Sequence, residues 1–233
     1  MPCILHIETA TKVCSVAVSL NKELLFYKVE TEGPSHASLL GVFVEEAIKE
    51  LRAKGIALDA VAVSSGPGSY TGLRIGVSEA KGLCYGLNIP LIAIETLELL
   101  TYPLVKSHAE SSKLLFCPMI DARRMEVYTT LYDESLNKLQ DITAEIIDEN
   151  SFKELLTTNK IVFFGDGASK CKEVINSDNA SFLDNIYPNA KNMVWLAEQA
   201  YQNKNFVDVA YYEPFYLKEF VGTIPKNKVL PQS

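Results

Sequence analysis

A glycine-rich segment is the part of this sequence whose residue types most clearly suggest chemistry. It reads Gly66-Pro67-Gly68-Ser69-Tyr70-Thr71-Gly72-Leu73-Arg74 and follows an apolar run at 58–64. Glycine permits a close approach of backbone and proline fixes one φ angle, so a buried strand is expected to turn sharply here into a helix. The hydroxyls of Ser69 and Thr71, with the free N–H groups of that helix, would suit an anion. A structural turn that orders a partner-binding helix explains the same residues, because the Lys-Ser/Thr ending of a phosphate loop is missing.

Other residue types that could bind metals or react are scattered. The three histidines, His6, His36 and His108, lie far apart, and the five cysteines include no C-x-x-C pair. We interpret the cysteines as reduced thiols that serve as small apolar side chains in the cytosol. His36 lies at a predicted helix start and is interpreted as a capping or interface residue. Trp195, within an apolar run, is predicted to be a core residue.

The composition excludes several classes of function. Apolar residues make up 48% of the chain and charged residues 22%, as in an ordinary globular protein. The net charge of −7 argues against broad, non-specific binding of nucleic acid, because that needs a basic surface. RNA contact through a basic partner stays open. No signal peptide and no apolar run of roughly 18 residues is apparent, so we expect a cytoplasmic protein without membrane contact.

The hydrophobic pattern predicts the same order of elements twice. In the first half we expect strands at 4–7, 14–18, 24–29, 58–64 and 89–94, and helices at 36–54, 73–86 and 97–104. Gly33-Pro34 is predicted to be a turn, Ser35 the N-cap of the first helix and Gly55 its C-cap. In the second half we expect strands at 114–121, 126–132, 139–142 and 161–164, and helices at 151–156 and 195–203.

This repetition indicates an α/β fold of duplicated actin-like (ASKHA, RNase H-like) β-β-β-α-β-α lobes. We place the first lobe at residues 1–104 and the second at 105–233. The polar stretch at 106–113 is predicted to connect them at the surface. The residues from about 221 onward are predicted to form a flexible tail.

Motifs spread over most of the chain resemble the TsaB (YeaZ) family, whose members assist TsaD in making threonylcarbamoyladenosine in tRNA. The matching motifs lie at 4–11 with 14–17, at 36–40, at 66–76 with 80–83, at 118–128, at 165–168 and at 213–217. The glycine segment is the most specific of them. The other motifs are less specific one by one, but their occurrence in this order strengthens the resemblance.

The resemblance implies a vestigial nucleotide cleft. Glu8 and Thr9 lie where actin-like ATPases carry a phosphate hairpin with glycine, and Asp121 with Arg123 is the counterpart in the second lobe. The cleft residues are Glu8, Thr9, Gly66, Gly68, Ser69, Asp121, Arg123, Gly165 and Gly167. Side chains crowd the place where backbone should meet phosphate, so we expect no autonomous ATP hydrolysis and no tightly bound cofactor, with ATP or ADP bound only in the complex with partners. The charges around Asp121 equally fit a salt-bridged turn.

The resemblance also implies that catalysis belongs to another subunit. TsaD carries a His-x-x-x-His pair that binds metal, and the corresponding positions here are Thr96 and Leu100. We therefore expect no catalytic residues and no metal site. The implied role is a non-catalytic subunit that binds TsaD as a heterodimer, works with the ATPase TsaE, forms a homodimer when alone and meets tRNA only through the complex.

The helices at 36–54 and 73–86 are the implied partner interface. Small residues in the second helix would let another helix approach closely. The predicted interface residues are His36, Leu39, Leu40, Phe43, Leu73, Arg74, Gly76, Val77, Ala80 and Lys81. On this hypothesis Leu73→Glu or Gly76→Arg abolishes pairing and leaves the monomer folded. Arg74 and Lys81 would either be solvated or pair with acidic groups of a partner.

Two enzymatic alternatives stay open at this point. A metal-dependent glycoprotease-like hydrolase requires metal ligands, and metal analysis of the purified protein would identify it. An actin-like small-molecule kinase requires tight ATP binding, and a calorimetric titration with ATP would identify that.

Overall fold

A computed structural model describes residues 2–32, 36–107 and 114–218 of the chain. The predicted turn at Gly33-Pro34, the predicted N-cap Ser35, most of the connection at 106–113 and the tail from about 221 lie outside these residues. No helix in the described part of the chain is long and apolar enough to cross a membrane.

The first lobe is a mixed five-stranded sheet with two helices packed on one face. Its strands are β1 (Cys3–Glu8), β2 (Cys14–Leu20), β3 (Glu23–Glu30), β4 (Ala60–Gly66) and β5 (Leu91–Glu95), in the spatial order β3-β2-β1-β4-β5. β1 is antiparallel to β2 and parallel to β4. Helices α1 (His36–Ala53) and α2 (Tyr70–Leu87) bury residues such as Leu40 and Val77 against alternate strand residues such as Leu5 and Ile7.

The second lobe repeats this topology strand for strand. Its strands are β6 (Leu114–Asp121), β7 (Glu126–Thr129), β8 (Thr143–Ile146), β9 (Lys160–Phe164) and β10 (Ala180–Leu183), in the order β10-β9-β6-β7-β8. β6 is antiparallel to β7 and parallel to β9, as β1 is to β2 and β4. Two short helices, α4 (Lys153–Thr158) and α5 (Ala168–Cys171), accompany this sheet. The repeat confirms the predicted duplicated α/β fold.

Two further helices tie the lobes together. Helix α3 (Thr96–Ser107) follows β5 and leads to β6. Helix α6 (Met193–Gln202) returns to the first sheet, where Leu196 and Ala197 join a core with Ile4 and Ile92. Because α6 completes the core of the first sheet although it belongs to 105–233, the division into 1–104 and 105–233 as separate folding units stays a prediction.

Some predicted elements are wrong. The third strand of the second meander is β8 rather than 139–142. The Leu139 N–H donates to Leu131 O (2.8 Å) beside an isolated bridge between Tyr132 and Lys138, and no strand continues through 139–142. Trp195 is not a core residue: it is 41% exposed, and its ring stacks on Tyr102 with centroids 5.1 Å apart. β10 and α5 have no counterpart among the predicted elements. Gly55 has the φ of +66° expected at a helix C-terminus.

Helix α2 packs directly on the turn between β1 and β2, with only the small side chain of Thr9 reaching between them. The Thr9 hydroxyl donates to Gly72 O (2.8 Å). A Cβ on Gly72 would collide with Thr9 O, and a Cβ on Gly76 would collide with the Thr9 hydroxyl. Gly82 lies on the same helix but faces open space. The close contact therefore depends on the first two glycines and not on the third.

We expect Gly76→Ala to lower the free energy of unfolding by about 1–3 kcal/mol, because the new methyl group must displace Thr9. Gly82→Ala is the matched control on the same helix. It should raise the free energy of unfolding by up to about 1 kcal/mol, since alanine favours helix and nothing obstructs it. Urea unfolding of both variants checks this, and equal effects of the two would contradict the contact.

Candidate functional site

The glycine loop packs closely against the β1–β2 turn. The Ser69 N–H donates to Ala10 O (2.7 Å), and a Cβ on Gly68 would lie 2.9 Å from the Cβ of Ala10. The Ser69 side chain caps helix α2 by accepting from Gly72 N–H (3.2 Å). Two of the N–H groups that an anion would need thus already have partners within the chain. This geometry favours the structural turn, and anion binding by Gly66, Gly68 or Ser69 stays a prediction.

Glu8, the last residue of β1, is fully buried under the β1–β2 turn. Its Oε1 accepts from Ala10 N–H (2.6 Å), and its Oε2 accepts from the Ser64 hydroxyl on β4. Burial raises the pKa of Glu8 to about 8, against the opposing effect of the N–H groups of Ala10 and Thr9. The carboxyl group where an ATPase would meet its nucleotide therefore joins two strands of one sheet.

The counterpart in the second lobe is a hydrogen-bonded and ion-paired turn. Asp121 forms an ion pair with Lys170, and its N–H donates to Asp166 Oδ1 (3.0 Å). Arg123 N–H donates to Asp121 Oδ1 (3.1 Å), and Arg123 itself has a φ of +75°. Burial raises the pKa of Asp166, with Lys12 of the first lobe acting in the opposite direction. The structure thus shows the salt-bridged turn, and a ligand contact there stays a prediction.

Gly165 and Gly167 flank Asp166 and pack directly on the end of β6. A Cβ on Gly165 would collide with Met119 O, and Gly165 has a φ of +106°. A Cβ on Gly167 would lie 3.0 Å from Asp121 N. Both glycines are therefore explained by close packing of this turn.

The two positions that correspond to the metal-binding histidine pair serve other purposes. Thr96 is fully buried, and its hydroxyl accepts from Gly66 N–H (3.1 Å) at the start of the glycine loop. Leu100 lies in the core between α3 and the second sheet with Phe116 and Phe164. Within the described residues no group of three or more His, Cys, Asp or Glu side chains could hold a metal ion.

Most of the predicted interface residues face their own chain. Six of the ten are buried beneath α1 and α2, and they are His36, Leu40, Leu73, Gly76, Val77 and Ala80. Leu73 is only 1% exposed and Gly76 meets Thr9, so Leu73→Glu and Gly76→Arg would damage the monomer. The burial of both positions argues against the expectation that these variants leave the monomer folded.

The exposed faces of these two helices carry different residues. On α2 Ser78, Gly82 and Tyr85 are exposed, and Tyr85 is 84% accessible. On α1 Gly41 and Val42 are exposed. Among the exposed positions of the two helices we call five the α1–α2 face: Gly41, Val42, Ser78, Gly82 and Tyr85.

A C-terminal strap, residues 206–218, holds α2 and the glycine loop from the side. Val207 N–H donates to Leu91 O (3.0 Å), and Phe215 N–H donates to Ser65 O (2.7 Å). Lys218 forms an ion pair with Glu126 of the second lobe. The strap thus runs from the edge of the first sheet, past the glycine loop, to the second lobe.

Comparisons with known proteins assign the chain to a family. The family model described as TsaD, tRNA N6-adenosine threonylcarbamoyltransferase, matches residues 30–226. The chain belongs to this family, in its TsaB (YeaZ) branch. The Escherichia coli "tRNA threonylcarbamoyladenosine biosynthesis protein TsaB" is 28% identical over 94% of this chain and 96% of its own. The Haemophilus influenzae protein of the same name is 26% identical over 94% of each chain.

A solved structure of YeaZ from Pseudomonas aeruginosa has the same fold. It superposes with a TM-score of 0.75 and 25% identity, over 93% of this chain and all of that one. The resemblance to the TsaB (YeaZ) family that the motifs indicate is thereby confirmed.

The strap and the buried carboxyl group of Glu8 are features that sequence reasoning missed in this TsaB-branch chain. The signal for the strap was present, since 213–217 is one of the matching motifs, but no contact could be assigned to it. Lys81 was expected to be solvated or to meet a partner's acids. Instead it donates to Ala210 O (3.1 Å) and Tyr212 O (2.9 Å) in the strap.

The buried Glu8 predicts a pH-dependent stability. The pKa of Glu8 is about 8 in the folded chain, against 4.5 for an unperturbed glutamate. As the pH rises, Glu8 therefore ionises in the unfolded chain before it ionises in the folded chain. The contribution of Glu8 to the free energy of unfolding is fully present below pH 4.5. It decreases between about pH 4.5 and pH 8 and stays constant at higher pH. Over that range it should lower the free energy of unfolding by a few kcal/mol, on the order of 1.4 kcal/mol per pKa unit.

Glu8→Gln should remove this dependence, because its amide keeps both hydrogen bonds without a charge. Urea unfolding at pH 5 and pH 8 checks the difference between wild type and variant. Glu23→Gln, an exposed carboxylate in the same sheet, is the control and should behave as the wild type. An unchanged pH dependence in Glu8→Gln would show that another group is responsible.

Proposed function

We propose that this chain is a non-catalytic subunit of the machinery that makes threonylcarbamoyladenosine in tRNA. In this proposal a TsaD-type transferase carries the metal and transfers the threonylcarbamoyl group to the adenosine beside the anticodon. The chain described here binds and supports that enzyme. The observation that carries the proposal is the mutual filling of the glycine loop and the β1–β2 turn, where Ala10 O takes the Ser69 N–H (2.7 Å).

This contact supports a role without phosphate chemistry. In an actin-like ATPase the two turns would leave their backbone N–H groups open toward the phosphates. Here Ala10 and Thr9 lie against Gly68 and Gly72. The Ala10 carbonyl accepts from the Ser69 N–H, the group that would otherwise be open to an anion. Relatives named as TsaB biosynthesis proteins match almost the whole chain and support the same pathway.

The partners follow from the same proposal. A TsaD-type transferase binds the α1–α2 face as a heterodimer, and a second copy of the chain occupies that face when the transferase is absent. The ATPase TsaE acts on the assembled complex, and tRNA meets this chain only there. The chain alone binds no nucleotide tightly, and ATP or ADP is held only in the complex.

Reconstitution of the modification tests the proposed function. Transferase, TsaE and tRNA are combined with substrate, with and without this chain, and threonylcarbamoyladenosine is measured after digestion of the tRNA. We expect product only when the chain is present. Full activity from transferase and TsaE without it would refute the proposal.

The α1–α2 face predicts a selective effect on binding. Tyr85→Glu combined with Val42→Glu should weaken binding of the transferase at least about tenfold, because it puts two charges into a buried interface. Ile146→Glu is the control, since Ile146 is similarly exposed at 74% but lies on β8 of the second lobe. Calorimetric titration checks this. Equal losses in both variants would place the interface elsewhere.

A further inference from the structure

A pocket lies between helix α2 and the C-terminal strap, on the outer side of the first lobe. It has a volume of about 440 Å³. Val77 and Ser78 form its floor on α2, and Tyr212, Pro214 and Tyr216 form its wall on the strap. Arg74 and Lys81 stand on either side of that floor. The pocket is separate from the cleft residues around Glu8 and Asp121.

The wall of this pocket is fixed by contacts that do not need a ligand. The Lys81 ammonium donates to Ala210 O (3.1 Å) and Tyr212 O (2.9 Å), so it ties the strap to α2. At the other end the Tyr216 ring packs on the Tyr70 ring with centroids 4.7 Å apart. A pocket that is already formed loses little conformational freedom when something binds.

The pocket concentrates positive charge in an acidic protein. Arg74 and Lys81 are seven residues apart, hence on one face of the helix and about 10 Å apart along its axis. Among the described residues neither forms an ion pair with a carboxylate, whereas the chain as a whole has a net charge of −7. Glu213 is the carboxylate in the described lining and lies exposed on the strap.

Arg74 is oriented but retains donors for a ligand. Its Nη1 donates to the Tyr70 hydroxyl (3.2 Å), and its guanidinium carbon lies 5.5 Å from the centre of the Tyr70 ring. That contact restricts the side chain and uses one N–H of five. A guanidinium group held in this way matches a carboxylate, which it can bind through two parallel hydrogen bonds.

The pocket is continuous with the α1–α2 face. Arg74, Ser78, Gly82 and Tyr85 follow one another along α2 at helical spacing, and all four are exposed. Ser78 belongs to the pocket and to the face at once. A protein docked on the face would therefore reach the pocket with a side chain at its edge.

We propose that this pocket receives an acidic side chain of the partner protein and that Arg74 pairs with its carboxylate. Lys81, held at the strap, adds attraction at longer range. The inference rests on the proposed function, because it takes the protein bound at the α1–α2 face as the source of the acidic group. To the α1–α2 face it adds a specific charged contact, between Arg74 and a carboxylate of the partner.

Binding of the purified TsaD-type transferase to full-length variants tests the pairing. Arg74→Glu should weaken binding about tenfold or more and reduce the loss of affinity with added salt. Lys160→Glu makes the same change of charge at an exposed position on β9 and should bind as the wild type. Arg74→Gln should show a smaller loss than Arg74→Glu, and unfolding curves establish that each variant is folded.

A charge swap makes the test decisive. Acidic residues on the surface of the transferase are changed one at a time to lysine, and one of these changes should restore binding to Arg74→Glu. If the wild-type chain binds and Arg74→Glu binds equally well, or if no such change restores binding, the inference is wrong and the proposed function stands. If the wild-type chain does not bind the transferase at all, the proposed function itself fails. Arg74-dependent binding of inorganic tripolyphosphate with unaltered transferase binding would identify a phosphate site instead and also overturn the inference.

Discussion

The architecture of the first lobe depends on one close contact, between the β1–β2 turn and helix α2. The turn after β1 packs directly on the start of α2, because Gly68, Gly72 and Gly76 leave room for the main chain and the small side chains of residues 9 and 10. The Thr9 hydroxyl and Ala10 O then bond directly to the opposite segment. This contact sets the height of α2 above the sheet and so decides which of its residues are buried. It also uses the atoms that a nucleotide would need.

The strap completes the support of α2 from a second direction. The β1–β2 turn holds the N-terminal half of the helix, and Lys81 ties its C-terminal half to the chain at 210–212. Phe215 closes over Gly66, where a Cβ would lie 2.6 Å from Phe215 O. Helix α2 thus packs on the sheet, on the β1–β2 turn and on the strap, and its remaining side is exposed. That side is the α1–α2 face with the pocket at its edge.

Local sequence signals were sufficient for most of the fold and insufficient for the surfaces. The order of short strands and helices predicts the repeated lobes, because strand alternation and helix periodicity depend on neighbours along the chain. Six of the ten predicted interface residues are buried in the chain itself for a physical reason: apolar residues such as Leu40, Leu73 and Val77 have the same sequence pattern whether they face their own sheet or another protein. Exposure distinguishes the two cases. Trp195 was misplaced likewise, since an apolar run does not reveal that its ring stacks on Tyr102 at the surface.

Two positions that the family resemblance singles out, Glu8 and Thr96, form hydrogen bonds within the first lobe. Glu8 stays at the end of β1, but both of its oxygens now bond within the lobe, to Ala10 and Ser64. The Thr96 hydroxyl accepts from the N–H of Gly66 at the start of the glycine loop. The bonds from Ser64 to Glu8 and from Gly66 to Thr96 each join two neighbouring elements of the lobe directly. With the bond from Thr9 to Gly72, they hold α2 through groups of the chain itself, which agrees with the supporting role proposed above.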